Sequence, residues 1–330
     1  MSATASSSTT STSDARPPLT GRAQSFWKRF TSGDEIAYLI TFVCAASVVL
    51  VTALLVWELY TNSAASRHQF GWRFLTSSDW DPVNQQFGAA PFIYGTLITT
   101  ALSMLIGVPL GVGAAIFLAE LAPAGISSAL TFLIELLAAV PSVIIGLLGI
   151  FVMIPILRDT APFLRSALGW TPFVKGPFYG VSLLAAGIVL SIMILPFIIS
   201  ISREVILAVP GDQREAALAL GATRWETTWD VVVPYARKGI AGSIFLALAR
   251  SLGETMAVTM VIGNTPQIAT SLFAPGYSIA AVIANEFVEA TGVIYQSSLI
   301  ELGLVLFGLT IIINGAARIL VLSTTKKGAT

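Results

Sequence analysis

Charge is what this sequence has least of. Of its 330 residues only 11% are Asp, Glu, Lys or Arg, while 55% are hydrophobic. An ordinary soluble domain carries about a quarter charged residues, so this composition excludes a water-soluble globule and demands lipid. Cysteine occurs once, as Cys44, and histidine once, as His68. That excludes a disulfide framework, a histidine metal site and paired Cys–His nucleophilic chemistry. Cys44 lies in an apolar run and reads as a small buried hydrophobe; His68 reads as a solvated loop residue. The dipeptide Gly-Lys is absent throughout, so the chain cannot form the phosphate-cradling loop of a P-loop ATPase. Residues 1–35 are rich in Ser and Thr and hold no apolar core. They read as a disordered cytoplasmic tail and not as a cleavable signal peptide, which leaves the first span as its own insertion signal.

Apolar stretches long enough to cross a bilayer, about 20 residues each, are present at roughly 36–60, 91–119, 129–157, 179–202, 239–263 and 298–322. Spans of this length must be helical, because unpaired backbone groups cannot face hydrocarbon, and the alternating pattern of a membrane barrel is missing. The expectation is an all-α integral membrane protein of about six transmembrane helices, with a membrane domain over 36–322 and a short tail at 323–330. Net charge is zero, so the distribution carries the information. Twelve of the 18 basic residues fall on one side of such a topology: Arg16, Arg22, Lys28, Arg29, Arg203, Arg214, Arg224, Arg237, Lys238, Arg318, Lys326 and Lys327. The other side holds Arg67, Arg73, Arg158, Arg165 and Lys175, and Arg250 lies within a span. The positive-inside rule then puts both termini in the cytoplasm.

The outward loop at about 61–90 carries Trp72 and Trp80, expected as interfacial anchors. The loop at about 264–297 places Ile279, Val282, Ile283 and Phe287 at helical spacing beside Glu286 and Glu289, which predicts an amphipathic helix. Span two carries a stripe of Thr96, Thr100, Ser103, Gly107 and Gly111. Two readings compete for it: close helix packing through small residues, or the lining of a hydrophilic pathway. Pro109 and Pro141 lie within spans and allow kinks.

The segment 203–238 is dense in start and stop signals. Pro210-Gly211 breaks the chain, Asp212 with Glu215 makes a candidate capping box, and Gly221 can end the helix that follows. Thr223 with Glu226 repeats the box, and Pro234 precedes span five. Two short helices hinged at Gly221 are expected. The run Glu215-Ala216-Ala217, Gly221, Val231, Val233 and Pro234 resembles the EAA loop of ABC importer permeases, with Val-Val-Val-Pro where the family has Ile-x-Leu-Pro. The strings Pro91–Thr96, Phe117–Glu120, Glu135–Gly146 and Arg250–Val258 narrow the resemblance to the permeases of phosphate-specific importers, and to the C subunit over the A subunit. The resemblance covers spans two to six and implies a type I importer (MetI-like) permease fold in a bacterial inner membrane. It also implies the partners: a second permease of the A type, a dimer of ATP-binding subunits that holds ATP and Mg, and an external phosphate-binding protein. The chain itself would carry no cofactor, no catalytic residue and no nucleic-acid contact.

Arg250 sits about 11 residues into span five, so it lies roughly 16 Å deep, near the bilayer midplane, with Glu254 one turn on. Each such charge costs on the order of 2.5–3.5 kcal/mol on insertion scales. At i, i+4 the two are expected to neutralise each other, either as a structural pair or with the guanidinium also serving an oxyanion. The resemblance favours a translocation role for both; Glu135, about 10 Å inside span three on the cytoplasmic side, reads either as a third charge on the path or as an interfacial residue. An ion-coupled secondary carrier would be expected to show two similar halves, which are not visible here. Arginine contacts suit phosphate, sulfate or arsenate alike, so phosphate rests on the resemblance.

Overall fold

The structure, a computed structural model, describes residues 34–327. Most of the expected tail over 1–35, with Arg16, Arg22, Lys28 and Arg29, lies outside the described residues. So do the last three residues of the tail at 323–330.

The regular structure among the described residues is helical, with one isolated bridge, Asp81 to Gln86, in the loops that join the helices. In order the helices are α1 (Asp34–Asn62), α2 (Ala64–Phe70), α3 (Arg73–Thr76), α4 (Ala90–Ile116), α5 (Ala124–Ala139), α6 (Ser142–Leu148) and α7 (Ile154–Leu168). They continue as α8 (Leu183–Leu207), α9 (Gly211–Ala219), α10 (Arg224–Glu226), α11 (Val233–Gly253), α12 (Met256–Ile262), α13 (Ile279–Glu286) and α14 (Val293–Lys327). Single π-helical turns at Phe117–Leu121, Gly149–Met153 and Thr227–Val232 extend α4, join α6 to α7 and join α10 to α11. The chain divides into two compact units, one ending at Glu58 and one beginning at Leu59. The first contains most of α1, an apolar helix whose Thr41 and Thr52 hydroxyls donate to carbonyls one turn earlier. Such back-bonding lets hydroxyls sit in hydrocarbon.

Six helical stretches are long and apolar enough to cross a membrane. Two of the expected spans differ in a way that bears on function. The third, drawn as one run over 129–157, is broken between α5 and α6. Val140 is extended (ψ 126°) because the proline ring at 141 disfavours helix at the preceding residue and removes an N–H. The fifth, drawn over 239–263, ends as α11 at Gly253; Glu254 is extended (ψ 126°) and α12 restarts two residues later. No proline marks that second break. The last helix runs past the expected boundary at 322 as far as Lys327.

The second unit is organised on the contact between α4 and α8. A Cβ on Gly107 would meet the Ile194 side chain, and one on Gly111 the Ile198 side chain; both isoleucines are fully buried. Between helices in lipid there is no water to expel, so packing of this closeness is what holds them together. The Thr96, Thr100, Ser103 stripe is buried in the bundle with these glycines. Thr96 Oγ1 donates to Phe92 O and accepts from Ile279 N, while Thr100 Oγ1 has no partner.

Consecutive spans alternate in direction, so the loops around 63–89 and 263–292 share one end of the bundle, hereafter the wide-loop end. The segment 208–232 lies at the other, the hairpin end. At the wide-loop end Trp80 is not an interfacial anchor. Its indole N–H donates to Glu286 Oε2 at 2.9 Å, and its ring meets Phe87, Phe92 and Tyr295 edge on. Trp72, by contrast, is 85% exposed, and His68 is exposed. The amphipathic helix expected after 264 forms as α13, capped by Ser278; Ile279 and Val282 are buried and Phe287 is exposed. Burial, with Glu286 nearby, pushes the Tyr277 phenol up to about 12.

Candidate functional site

The 208–232 segment folds only partly as its signals predict. Thr223 and Glu226 form the reciprocal box: Thr223 Oγ1 accepts from Glu226 N, and the Glu226 carboxylate accepts from Thr223 N at 2.8 Å. Gly221 takes φ +88° with open space where a Cβ would sit, and so ends the helix in a left-handed turn. The expected Asp212–Glu215 box does not form. Pro210 occupies the N-cap position, with no side-chain cap bond, so Asp212 falls inside the first turn, where it still complements the helix dipole. Nor is there a second separate helix. Pro234 has no N–H to give to Asp230, and the chain accommodates this by widening into the π turn at Thr227–Val232. Through that turn α10 runs into α11, so the hairpin's second limb is the start of span five.

The hairpin presents an apolar tip. Leu218, Leu220, Trp225 and Trp229 are 46%, 89%, 57% and 44% exposed, and the two indoles meet edge to face at 5.5 Å. Glu215 and Ala217 are half-exposed to exposed alongside. Large apolar side chains are thus clustered and exposed on a short polar segment.

Arg214 holds this tip in place. Its Nη2 lies 2.7 Å from Glu120 Oε1, and its guanidinium also donates to Val209 O and Ile206 O. One side chain thereby ties α9 to the end of α8 and to the π turn after α4. The sequence places Glu120 in a string of resemblance and Arg214 only among the basic residues of the hairpin segment. The partners stand 94 positions apart, and no local signal in the sequence links them.

Deeper in the bundle the two breaks lie together. α6 packs against α12: a Cβ on Gly146 would meet Met260 Sδ and Ala257 Cα. Both helices start at a break and run toward the wide-loop end, so both direct the positive end of their dipoles into the middle of the membrane. Arg250 and Glu254 flank the second break, but no ion pair joins them. The helix ends at Gly253, which removes the i, i+4 register the pairing needed. Glu254 instead turns to α12, its Oε1 facing Ala257 N at 3.5 Å. Arg250 keeps its donors free and lays its guanidinium over the Phe197 ring, 4.4 Å from the centroid. It belongs to an exposed stripe of α11 with Gly242, Leu246 and Gly253, where the glycines leave open space.

Glu135 is set lower, on α5. It lines a narrow crevice with Thr131, Ser200 and Arg203, and Thr131 Oγ1 and Arg203 Nε have no partner there. Phe197 and Arg203 are both on α8, separated by about 9 Å of rise. The structure therefore brings Arg250, Glu254, Arg203 and Glu135 to α8 and the broken helices. It sets Thr96, Thr100 and Ser103 apart from them, within the packed bundle. Among the described residues no cluster of metal-ligating side chains occurs.

Known proteins are similar to this chain in sequence and in fold. The family described as binding-protein-dependent transport system inner membrane component matches residues 107–326. A protein of Mesorhizobium japonicum named phosphate transport system permease protein PstC is 46% identical over 310 residues, 92% of this chain and 95% of that one. Its namesake in Pasteurella multocida is 44% identical over 288 residues, 86% and 90% of the two chains. Among solved structures, a bacterial ABC transporter for import of the acidic polysaccharide alginate aligns with a TM-score of 0.54 at 16% identity, over 89% of this chain and 97% of that one. An inward-facing MetNI methionine ABC transporter aligns at 0.50 and 17%, over 71% and 95%. At such identities these two speak to the fold alone.

If the Arg214 anchor fixes the hairpin, Arg214→Gln should raise hydrogen exchange across 211–220 by about tenfold, the counterpart of losing a charge-assisted bond worth about 1.5 kcal/mol. Arg214→Lys should recover part of the protection. Unchanged exchange in Arg214→Gln would show that the hairpin is held by other contacts.

Proposed function

The chain belongs to the family of binding-protein-dependent transport system inner membrane components, with the PstC phosphate permeases among its relatives, and on that premise we propose that it is the C-type permease subunit of an ATP-driven phosphate importer. The observation that carries the mechanism is the pair of helix breaks beside an unpaired, membrane-embedded arginine. Arg250 is a permanent cation with free donors, and a lipid-facing guanidinium would be costly. The stripe it shares with Gly242 and Gly253 must therefore face a hydrated path or a second permease. Guanidinium matches the planar donor geometry a phosphate oxyanion accepts. Two helix N-termini above it add favourable potential without a bound counter-ion. Glu254, lying against the first turn of α12, keeps a negative charge near enough that the anion is not bound too firmly. Arg203 and Glu135 continue the polar face toward the hairpin end.

Energy enters from outside this chain. The exposed Leu220–Trp225–Trp229 tip suits insertion into a groove on an ATP-binding subunit that holds ATP and Mg, and Asp212, Glu215, Ala216 and Ala217 line its first limb. Because α10 is continuous with α11, displacement of the tip reaches Arg250 through one helix. An A-type permease would complete the path and an external binding protein would deliver phosphate at the wide-loop end. The hairpin end is then cytoplasmic, as are both termini, in a bacterial inner membrane. The identity to PstC proteins favours phosphate over other oxyanions and the C subunit over the A.

Arg250→Gln should lower labelled-phosphate uptake at least about tenfold, equivalent to about 1.4 kcal/mol in the rate-limiting barrier, with the complex assembled in normal amount. Adding Glu254→Gln should not restore uptake. Recovery in the double variant, with sulfate uptake as control, would mean the two charges serve only each other.

Gly221→Val forces a side chain into φ +88° and tilts the tip. It should abolish stimulation of ATP hydrolysis and uptake together; wild-type values of both would sink the docking role.

In a Cys44→Ser background, a cysteine placed at Asn285 should react with an impermeant maleimide in intact cells lacking an outer membrane, and one at Leu220 only after permeabilisation. The opposite order would invert the topology.

A further inference from the structure

A groove with a volume of about 720 Å³ opens on the flank of the bundle at the wide-loop end, away from the broken helices. One wall is a single face of α14, where Glu301, Val305, Gly308 and Ile312 recur at i, i+4, i+7 and i+11; the mouth is set by Arg67 and Trp72. From Glu301 to Ile312 the helix rises about 16 Å, close to half the roughly 30 Å hydrocarbon thickness of a bilayer. The groove is thus as deep as one leaflet, apolar along its length and polar at one end.

Three features of the mouth specify what fits. Arg67 is oriented by its own neighbours: Nε donates to Ser63 Oγ at 3.0 Å, Nη2 to Tyr60 O, and the guanidinium lies 3.8 Å from the Tyr60 ring centroid. Nη1 makes no hydrogen bond to a described residue and remains available to an acceptor. Glu301 is 6% exposed, yet its Oε2 has no partner, an unmet acceptor or donor at the same mouth. Trp72, 85% exposed, sits where an indole prefers the headgroup level. Below them a Cβ on Gly308 would meet nothing within 4 Å, so the floor of the groove is open.

The geometry points to a bound glycerophospholipid. One acyl chain lies along α14 over Gly308, the phosphodiester accepts from Arg67 Nη1, and a headgroup N–H or O–H satisfies Glu301. Arg67 supplies the charge complement to phosphate, and Glu301 adds the demand for a donor, which ethanolamine and glycerol headgroups have and choline lacks. The occupant is a lipid and not free phosphate, because the walls beyond Arg67 offer an anion nothing. The site would fasten the wide-loop end, where α2 is joined to α14 by Ser66 N to Ser297 Oγ and Ser298 Oγ to Ser66 Oγ, to the leaflet around it.

The test is native mass spectrometry of the full importer complex, released from nanodiscs containing phosphatidylethanolamine, phosphatidylglycerol, phosphatidylcholine and diacylglycerol in equal amounts. The first two should be retained several-fold above phosphatidylcholine, with diacylglycerol absent. Gly308→Phe, which fills the floor, should reduce all retained lipid several-fold with the subunits still assembled, and Arg67→Gln should remove the preference for phosphate-bearing lipid. Equal retention of all four classes would overturn the assignment, as would retention unaffected by Gly308→Phe. So would loss of the second permease from the Gly308→Phe complex, because the groove would then receive that chain and not lipid.

Discussion

In hydrocarbon a backbone N–H or C=O without a partner costs several kcal/mol, and everything else in this molecule is arranged around that constraint. It makes every crossing segment helical, and it makes an interrupted helix the most informative feature a span can have. The two interruptions here, after Ala139 and after Gly253, are side by side, and each is managed locally. Pro141 removes one donor outright, and the Glu254 carboxylate lies against the start of the next helix. Irregular backbone at such depth persists where protein or water covers it. The breaks therefore locate the part of the bundle that is not meant for lipid, independently of any charge found there.

Around the breaks, stiff and loosely held parts alternate. The α4–α8 contact is close enough that single glycines set its spacing, and it is ringed by fully buried isoleucines. α5 is different. It is bounded by Pro123 and by the Val140–Pro141 break, and among its described side chains only Ser127 is buried. Its Glu135 lies across a crevice from Arg203 without pairing. A rigid frame beside a helix held at two prolines is the arrangement that hinge motion uses. The burial pattern thus separates a tightly packed frame from a helix that buries few of its side chains in this chain.

Much of this was legible in the residues, because membrane chemistry writes itself in long apolar runs. The number of crossings, the Thr223–Glu226 box and the turn at Gly221 follow from local rules, and the structure has all three. The Asp212 box failed because capping signals overlap: Pro210 took the cap position two residues earlier. The Arg250–Glu254 pair failed because the i, i+4 rule presumes an unbroken helix, and the break at Gly253 carries no proline to announce it. Trp80 was misplaced since an indole anchors at an interface or donates inward with equal ease, and its acceptor, Glu286, lies 206 positions away. Arg214 and Glu120 were hidden for the same reason. Local signals fix elements, whereas long-range polar pairs emerge only when the elements are assembled.

The π turn at Thr227–Val232 has a bearing on how this chain can vary. Each residue of a helix advances the direction of its side chains by about 100°, and the turn joins the hairpin to α11 with no flexible joint between. Inserting or deleting one residue there would leave every side chain chemically intact. It would nonetheless rotate Arg250 by that angle about the axis of α11, from the open stripe it shares with Gly242 and Leu246 toward the flank where Ala247 is fully buried. The length of this segment is therefore under as strict a constraint as the identity of the arginine it aims, and in a set of related sequences its spacing should tolerate substitution far better than it tolerates a gap.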